Sequence, residues 1–255
     1  MDSIQERHDE RRRKRIREQK LRRTVFFSFL ALIAILIIMF FTPLFNIKNV
    51  IIIGNSKLSG ETISSQIGEL TGKNLFSYRK SKIKNKLYEL AYVDKVYIKK
   101  KAFPPTVTVE VKECIPCFQA EYGEGLTVVD KFGKVLEQIS EKYEGIPLVQ
   151  GVPIASAKTG EIIVFKDEDT QKTVMSCIEN MDSAGIIGDI TVISFEDMTN
   201  ITFNYQSRLD VICGTHIDFK RKLALFKEAI NSNKLTENSR GTINLSTTGK
   251  AIYTP

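Results

Sequence analysis

Histidine is almost missing from this 255-residue chain, with only His8 and His216. Two such distant imidazoles leave little for a serine or cysteine triad, and His216 stands alone where a zinc site would need partners. No serine sits in a G-x-S-x-G setting, Ser64, Ser176 and Ser194 included. Gly54 and Gly72 read as turn and helix-end glycines rather than a phosphate cradle. The carboxylate pairs Asp167/Glu168 and Glu196/Asp197 fall in polar turns, where solvation is a simpler role than acid–base catalysis. Cysteine is sparse as well: Cys114, Cys117, Cys177 and Cys213 form an even set that permits disulfides without requiring them. A redox C-x-x-C is expected to open a helix after a strand, whereas Pro116 and Phe118 suggest a strand-to-strand junction around Cys114 and Cys117. No internal repeat is evident. The residues therefore predict a non-enzymatic binding protein with no cofactor, no metal and no small-molecule substrate.

Charge and proline are both missing from Val25 to Phe41, and thirteen of those residues are Leu, Ile, Val or Phe. At about 1.5 Å per residue the run reaches roughly 25 Å as a helix, enough to cross a bilayer. Its insertion is favoured by about 4 to 8 kcal/mol. Pro43 helps to stop the helix. Residues 1–23 carry ten Lys or Arg against five Asp or Glu, a net +5, with Arg17, Lys20, Arg22 and Arg23 nearest the apolar run. That bias predicts a cytoplasmic N-terminus and contact of the tail with membrane lipid. Bulky Phe40, Phe41, Leu44 and Phe45 replace the small residues that a cleavage site needs. The expectation is an uncleaved signal anchor of a single-pass type II protein in the cell membrane, with its C-terminus extracytoplasmic.

The whole chain carries a net +7, of which only +2 belongs to the exported part. The basic balance is therefore mostly topogenic, and nucleic acid is not an expected partner.

After the anchor, Ile47 and Val50 to Ile53 form a β-branched run that ends at Gly54 and Asn55. Ser59 precedes a helix whose face is Ile63, Ile67 and Leu70, closed by Gly72, and a second helix repeats the pattern through Ile83, Leu87 and Leu90. Val93, Val96 and Ile98 read as a strand. A turn at Phe103, Pro104 and Pro105 leads to a second strand that alternates Val107, Val109 and Val111 with Thr108 and Glu110. Residues Leu126 to Leu136 read as a hairpin, Ile146 to Val149 as a continuation, and Thr170 to Met181 as a helix. Short strands follow near 190–195, 200–205 and 208–213. Phe219, Leu223, Phe226 and Ile230 mark a last helix before a polar linker, 231–240, and two strand candidates, GTINLS and AIYTP.

The order strand, helix, helix, strand, strand resembles the POTRA domain. The anchor followed by FNIKNVIIIGNSKLSGETI, TGKNLF, the Pro-Pro turn and TVTVEVKECIP is similar to the DivIB/FtsQ family of bacterial cell-division proteins, over roughly residues 24–116. Glu113 and Pro116 match the family's usual Glu-Arg-x-Pro junction, with Cys114 in place of the arginine, and Ile243 to Ser246 lacks the Asp and Arg of the usual Ile-Asp-Leu-Arg.

The expected fold is α+β: a transmembrane helix, a βααββ POTRA domain with a mixed three-stranded sheet and two helices, and a strand-rich α+β second domain. Expected boundaries are a tail at 1–23, the anchor at 24–42, POTRA at 43–113, the second domain at 114–231, and a linker with edge strands at 232–255. The resemblance implies a scaffold of the division septum that binds other single-span membrane division proteins. Other readings are a POTRA component of protein transport or assembly, or a membrane-tethered enzyme or ligand sensor. Ile243, Leu245, Ile252 and Tyr253 are the candidate partner-binding residues, on an edge that either accepts a partner strand or only completes its own sheet.

Overall fold

The computed structural model describes residues 2–232, 235–236, 238–247 and 249–255, with side chains from residue 17 onward except 39–41. The basic side chains of Arg7 to Arg15, the apolar ones of Met39 to Phe41 and part of the linker at 231–240 thus lie outside the described residues.

One helix, α1 (Asp2–Phe41), runs from the tail through the apolar run. It starts far upstream of Thr24 because residues 2–41 contain neither glycine nor proline and the tail is rich in Arg, Lys, Glu and Gln, which favour helix. Its Arg17–Ile38 segment is long and apolar enough to cross a membrane. Pro43 opens a single 3₁₀ turn, Pro43–Phe45.

Next come β1 (Asn49–Ile53), α2 (Gly60–Ile67), α3 (Lys80–Tyr88), β2 (Val93–Lys101) and β3 (Thr106–Glu113), the expected βααββ order. The strands form one sheet in the order β1-β3-β2, with β1 parallel to β3 from Asn49 opposite Thr106 to Ile53 opposite Glu110. Ile63, Ile67, Ile83 and Leu87 are buried as their spacing requires. The helices are shorter than that spacing suggests. α2 ends at Ile67 because Gly68 turns to a φ of +77°, so Leu70 is buried from the following loop. Leu90 lies beyond α3 and is half-buried.

The strand-rich part contains β4 (Pro116–Tyr122), β5 (Gly125–Asp130), β6 (Val135–Ile139), β7 (Leu148–Gln150), β8 (Ile154–Ser156), β9 (Val164–Phe165), α4 (Glu168–Ser183), β10 (Ile190–Ser194), β11 (Ile201–Tyr205), β12 (Leu209–Gly214), α5 (Phe219–Ile230), β13 (Gly241–Asn244) and β14 (Ile252–Thr254). Nine strands form one sheet, β14-β13-β12-β11-β10-β7-β4-β5-β6, while β8 and β9 pair separately. Val174, Cys177, Ile178 and Met181 of α4, and Phe219, Leu223 and Phe226 of α5, join the inward residues of the sheet in one core. The Asp167 carboxylate accepts a hydrogen bond from Thr170 N at 2.7 Å and caps α4, and Asp197 accepts from Thr199 N at 2.8 Å. The first is a helix cap, and the second closes an Asx turn between β10 and β11.

The chain divides into two compact units: residues 1–53, 60–85 and 97–110, and residues 54–59, 86–96 and 111–255. Within the second, Glu113 of the Glu-x-x-Pro junction is a hub. Its carboxylate accepts from the backbone N–H groups of Ser56, Lys57 and Leu58 at 3.1, 2.8 and 2.9 Å. Bonds to a charged acceptor contribute about 1.5 to 3 kcal/mol. Glu113→Ala should therefore lower stability by about 2 to 4 kcal/mol in urea unfolding, with Glu113→Gln losing less.

Candidate partner-binding edge

The C-terminal strands are set by their neighbours. β13 lies parallel to β12, with Leu209 opposite Gly241 and Ile212 opposite Asn244, so Ile243 faces the core with none of its surface exposed. Leu245 is buried directly after it. Asn244 Oδ1 then accepts from Ser246 N and Ser246 Oγ at 2.8 and 2.7 Å, and this turns the chain out of the strand. The chain returns as β14, antiparallel to β13, with Thr242 opposite Thr254 and Asn244 opposite Ile252.

No described strand lies beyond β14. Ile252 is 49 % exposed and Tyr253 37 %, with the Tyr253 hydroxyl donating to Arg240 O at 2.7 Å. The four candidate residues thus separate by role: Ile243 and Leu245 fix β13 to the core, whereas Ile252 and Tyr253 sit on the accessible strand. The sequence shows the alternation of the first pair but not that a further strand covers their edge.

The opposite end of the sheet is different. Beside β6, Gly160 N donates to Val135 O, Val135 N to Glu161 O, and Gln138 Nε2 to Ala157 O, each at 2.8 Å. The chain covers that edge with its own 157–161 segment, the usual protection of a sheet against unwanted pairing.

Gly241 is the residue that sequence reading missed. Its φ is +142°, and a Cβ there would fall 2.2 Å from Thr254 O and 2.9 Å from Pro255 Cα. Only glycine lets β14 lie this close.

Cys114 and Cys117 flank the start of β4 rather than a helix N-terminus, and all four cysteines are free. Burial pushes the Cys114 thiol up to about 11 and those of Cys117, Cys177 and Cys213 up to about 12. A redox or nucleophilic thiol needs the opposite shift. Because these thiols hold their protons longer in the folded state, they leave stability unchanged below the ordinary value of 9.0 and reduce it as pH rises from there towards 12. Urea midpoints should fall between pH 8 and pH 10.5, and Cys177→Ala should flatten that fall.

Arg17, Lys20, Arg22 and Arg23 are exposed on α1 just before the uncharged run from Val25 to Phe41. Among the described residues no three His, Cys, Asp or Glu side chains converge as metal ligands.

Residues 45–113 match the model of the POTRA domain of the FtsQ type. Over 215 residues the chain is 28 % identical to the cell division protein DivIB of Clostridium acetobutylicum, covering 83 % of each chain. It is 27 % identical over 232 residues to DivIB of Clostridium tetani, covering 89 % of this chain and 85 % of the relative. Against the cell division protein FtsQ of Corynebacterium glutamicum the identity is 28 % over 153 residues, 56 % of this chain and 66 % of the relative. Residues 45–113 thus form a POTRA domain of the FtsQ type behind an apolar N-terminal helix, and along most of its length the chain is similar to cell-division proteins of the DivIB/FtsQ family.

Proposed function

We propose that the protein is a non-enzymatic, membrane-anchored scaffold of the bacterial division septum. Its N-terminus is cytoplasmic, its folded part is exported, and the outer edge of β14 accepts a strand from another single-span division protein. The observation that carries this reading is the asymmetry of the nine-stranded sheet: one edge is covered by residues 157–161, while Ile252 and Tyr253 leave the other accessible. Backbone pairing at such an edge supplies affinity, and the side chains on either side of the strand supply selectivity.

Capture of division proteins from solubilised membranes, with the full chain and with a chain lacking residues 251–255, tests the reading. Capture lost from a folded truncated protein is the expected result; undiminished capture would contradict it. Topology is tested separately in intact cells with a membrane-impermeant thiol reagent. The native thiols are buried or half-buried, so Phe132→Cys, at a position 71 % exposed, is the better external reporter. It should label, and Ser3→Cys should not.

A further inference from the structure

The first compact unit has a basic, aromatic end next to the membrane-spanning helix. Beyond the anchor this unit, residues 44–53, 60–85 and 97–110, carries nine Lys or Arg against three Asp or Glu, a net +6, whereas the second unit carries eighteen against twenty-two, a net −4. The near-neutral exported part is therefore two strongly unequal halves. The positive charge is also uninterrupted locally: no carboxylate occurs between Pro43 and Gly60, between Leu70 and Tyr88, or between Lys95 and Val109.

The chain leaving α1 is stitched between two loops. Leu75 N donates to Phe45 O at 2.8 Å, Ile47 N to Lys73 O at 2.9 Å, and Lys48 N to Pro105 O at 2.9 Å. This brings the Phe45 ring, 5 % exposed, to 5.4 Å from the Phe76 ring and 5.6 Å from the Phe103 ring. Around that buried centre, Leu44 is 60 % exposed, Phe76 41 % and Phe103 61 %. Lys48, Lys73, Arg79 and Lys101 are exposed on the same three segments. Lys100 is used internally, its Nζ donating to Leu75 O at 2.8 Å and lying 3.9 Å from the centre of the Tyr78 ring.

Phe45 follows Phe41, the last residue of α1, by only four positions. They span at most about 14 Å, while the headgroup layer on each side of the hydrocarbon is roughly 5 to 8 Å thick. Apolar tips ringed by cations are the composition of an interfacial membrane contact. We propose that Leu44, Phe76 and Phe103 dock into the outer face of the bilayer, held by anionic headgroups that meet the surrounding Lys and Arg side chains. The inference rests on the membrane-anchored reading and extends it: the folded unit next to the anchor lies on the membrane instead of hanging free from it.

The chain contains no tryptophan, so single Trp substitutions report without background. The test uses the full-length protein in phosphatidylcholine vesicles with about one third phosphatidylglycerol, with and without brominated acyl chains that quench indole fluorescence. Leu44→Trp and Phe103→Trp are the probes. Phe29→Trp reports insertion of the anchor, and Phe132→Trp, in the second unit, is the exposed control. Quenching of the two probes and of Trp at 29, but not of Trp at 132, is expected, and removing the phosphatidylglycerol should roughly halve the quenching of both probes. Probes as unquenched as the control, with Trp at 29 quenched, would overturn the docking alone. Trp at 29 unquenched would remove the anchor reading and the docking with it. Quenching indifferent to lipid charge would overturn the role given to the headgroups.

Discussion

Phe226→Ala is expected to cost the strand-rich domain about 3 to 5 kcal/mol. Phe226 has none of its surface exposed. Its ring meets Phe203 at 5.2 Å and 87°, and Tyr205 at 5.1 Å and 78°, so one side chain on α5 makes two edge-to-face contacts with β11. Each such pair adds about 0.5 to 1.5 kcal/mol beyond the area it buries. Truncation loses the burial and both pairs, and leaves a cavity between helix and sheet. With a urea dependence of about 1 to 3 kcal/mol per molar for a domain of this size, the midpoint should move down by roughly 1 to 5 M. Phe226→Leu should cost less, because most of the volume is retained. A loss below about 1 kcal/mol for the alanine variant, followed by circular dichroism, would show that α5 is not anchored on β11.

The second large effect is expected on binding rather than on folding. Gly241→Ala places a methyl carbon 2.2 Å from Thr254 O at a φ of +142°, so β14 must move away from β13. Little stability goes with it, because residues 251–255 are all exposed. β13 keeps its parallel ladder to β12 and its buried Ile243. If β14 is the docking strand, capture of the partner should fall at least tenfold, about 1.4 kcal/mol, while the urea midpoint changes little. A variant with unchanged capture would mean that the partner reads another surface.

The local elements were largely legible because each follows a short-range rule. The apolar run has no charge to interrupt it, Val107, Val109 and Val111 alternate with polar residues, and Phe219, Leu223 and Phe226 repeat at helical spacing. The helix ends were less so, since a single Gly68 overrides the face that continues to Leu70. Sheet order was not legible. β7, only three residues long, sits between β4 and β10 and is parallel to both, a long-range pairing that composition does not encode. The same limit applied to the candidate edge. Ile243 and Leu245 alternate with polar residues as clearly as any strand, and only the pairing of β14 across Gly241 reveals that their strand is interior. The cover over β6 was equally hidden, because residues 157–161 are irregular and pair through scattered backbone groups.

The most direct test of the β14 edge is photo-crosslinking in dividing cells, with a benzophenone amino acid placed at Ile252 and, as control, at the more exposed Phe132. Position 252 should crosslink to a single-span division protein, position 132 should not, and Gly241→Ala should abolish the crosslink while the protein stays at its normal level. Crosslinking at 252 no stronger than at 132, in a protein that is folded and present at the septum, would contradict the proposal that this edge is where the partner binds.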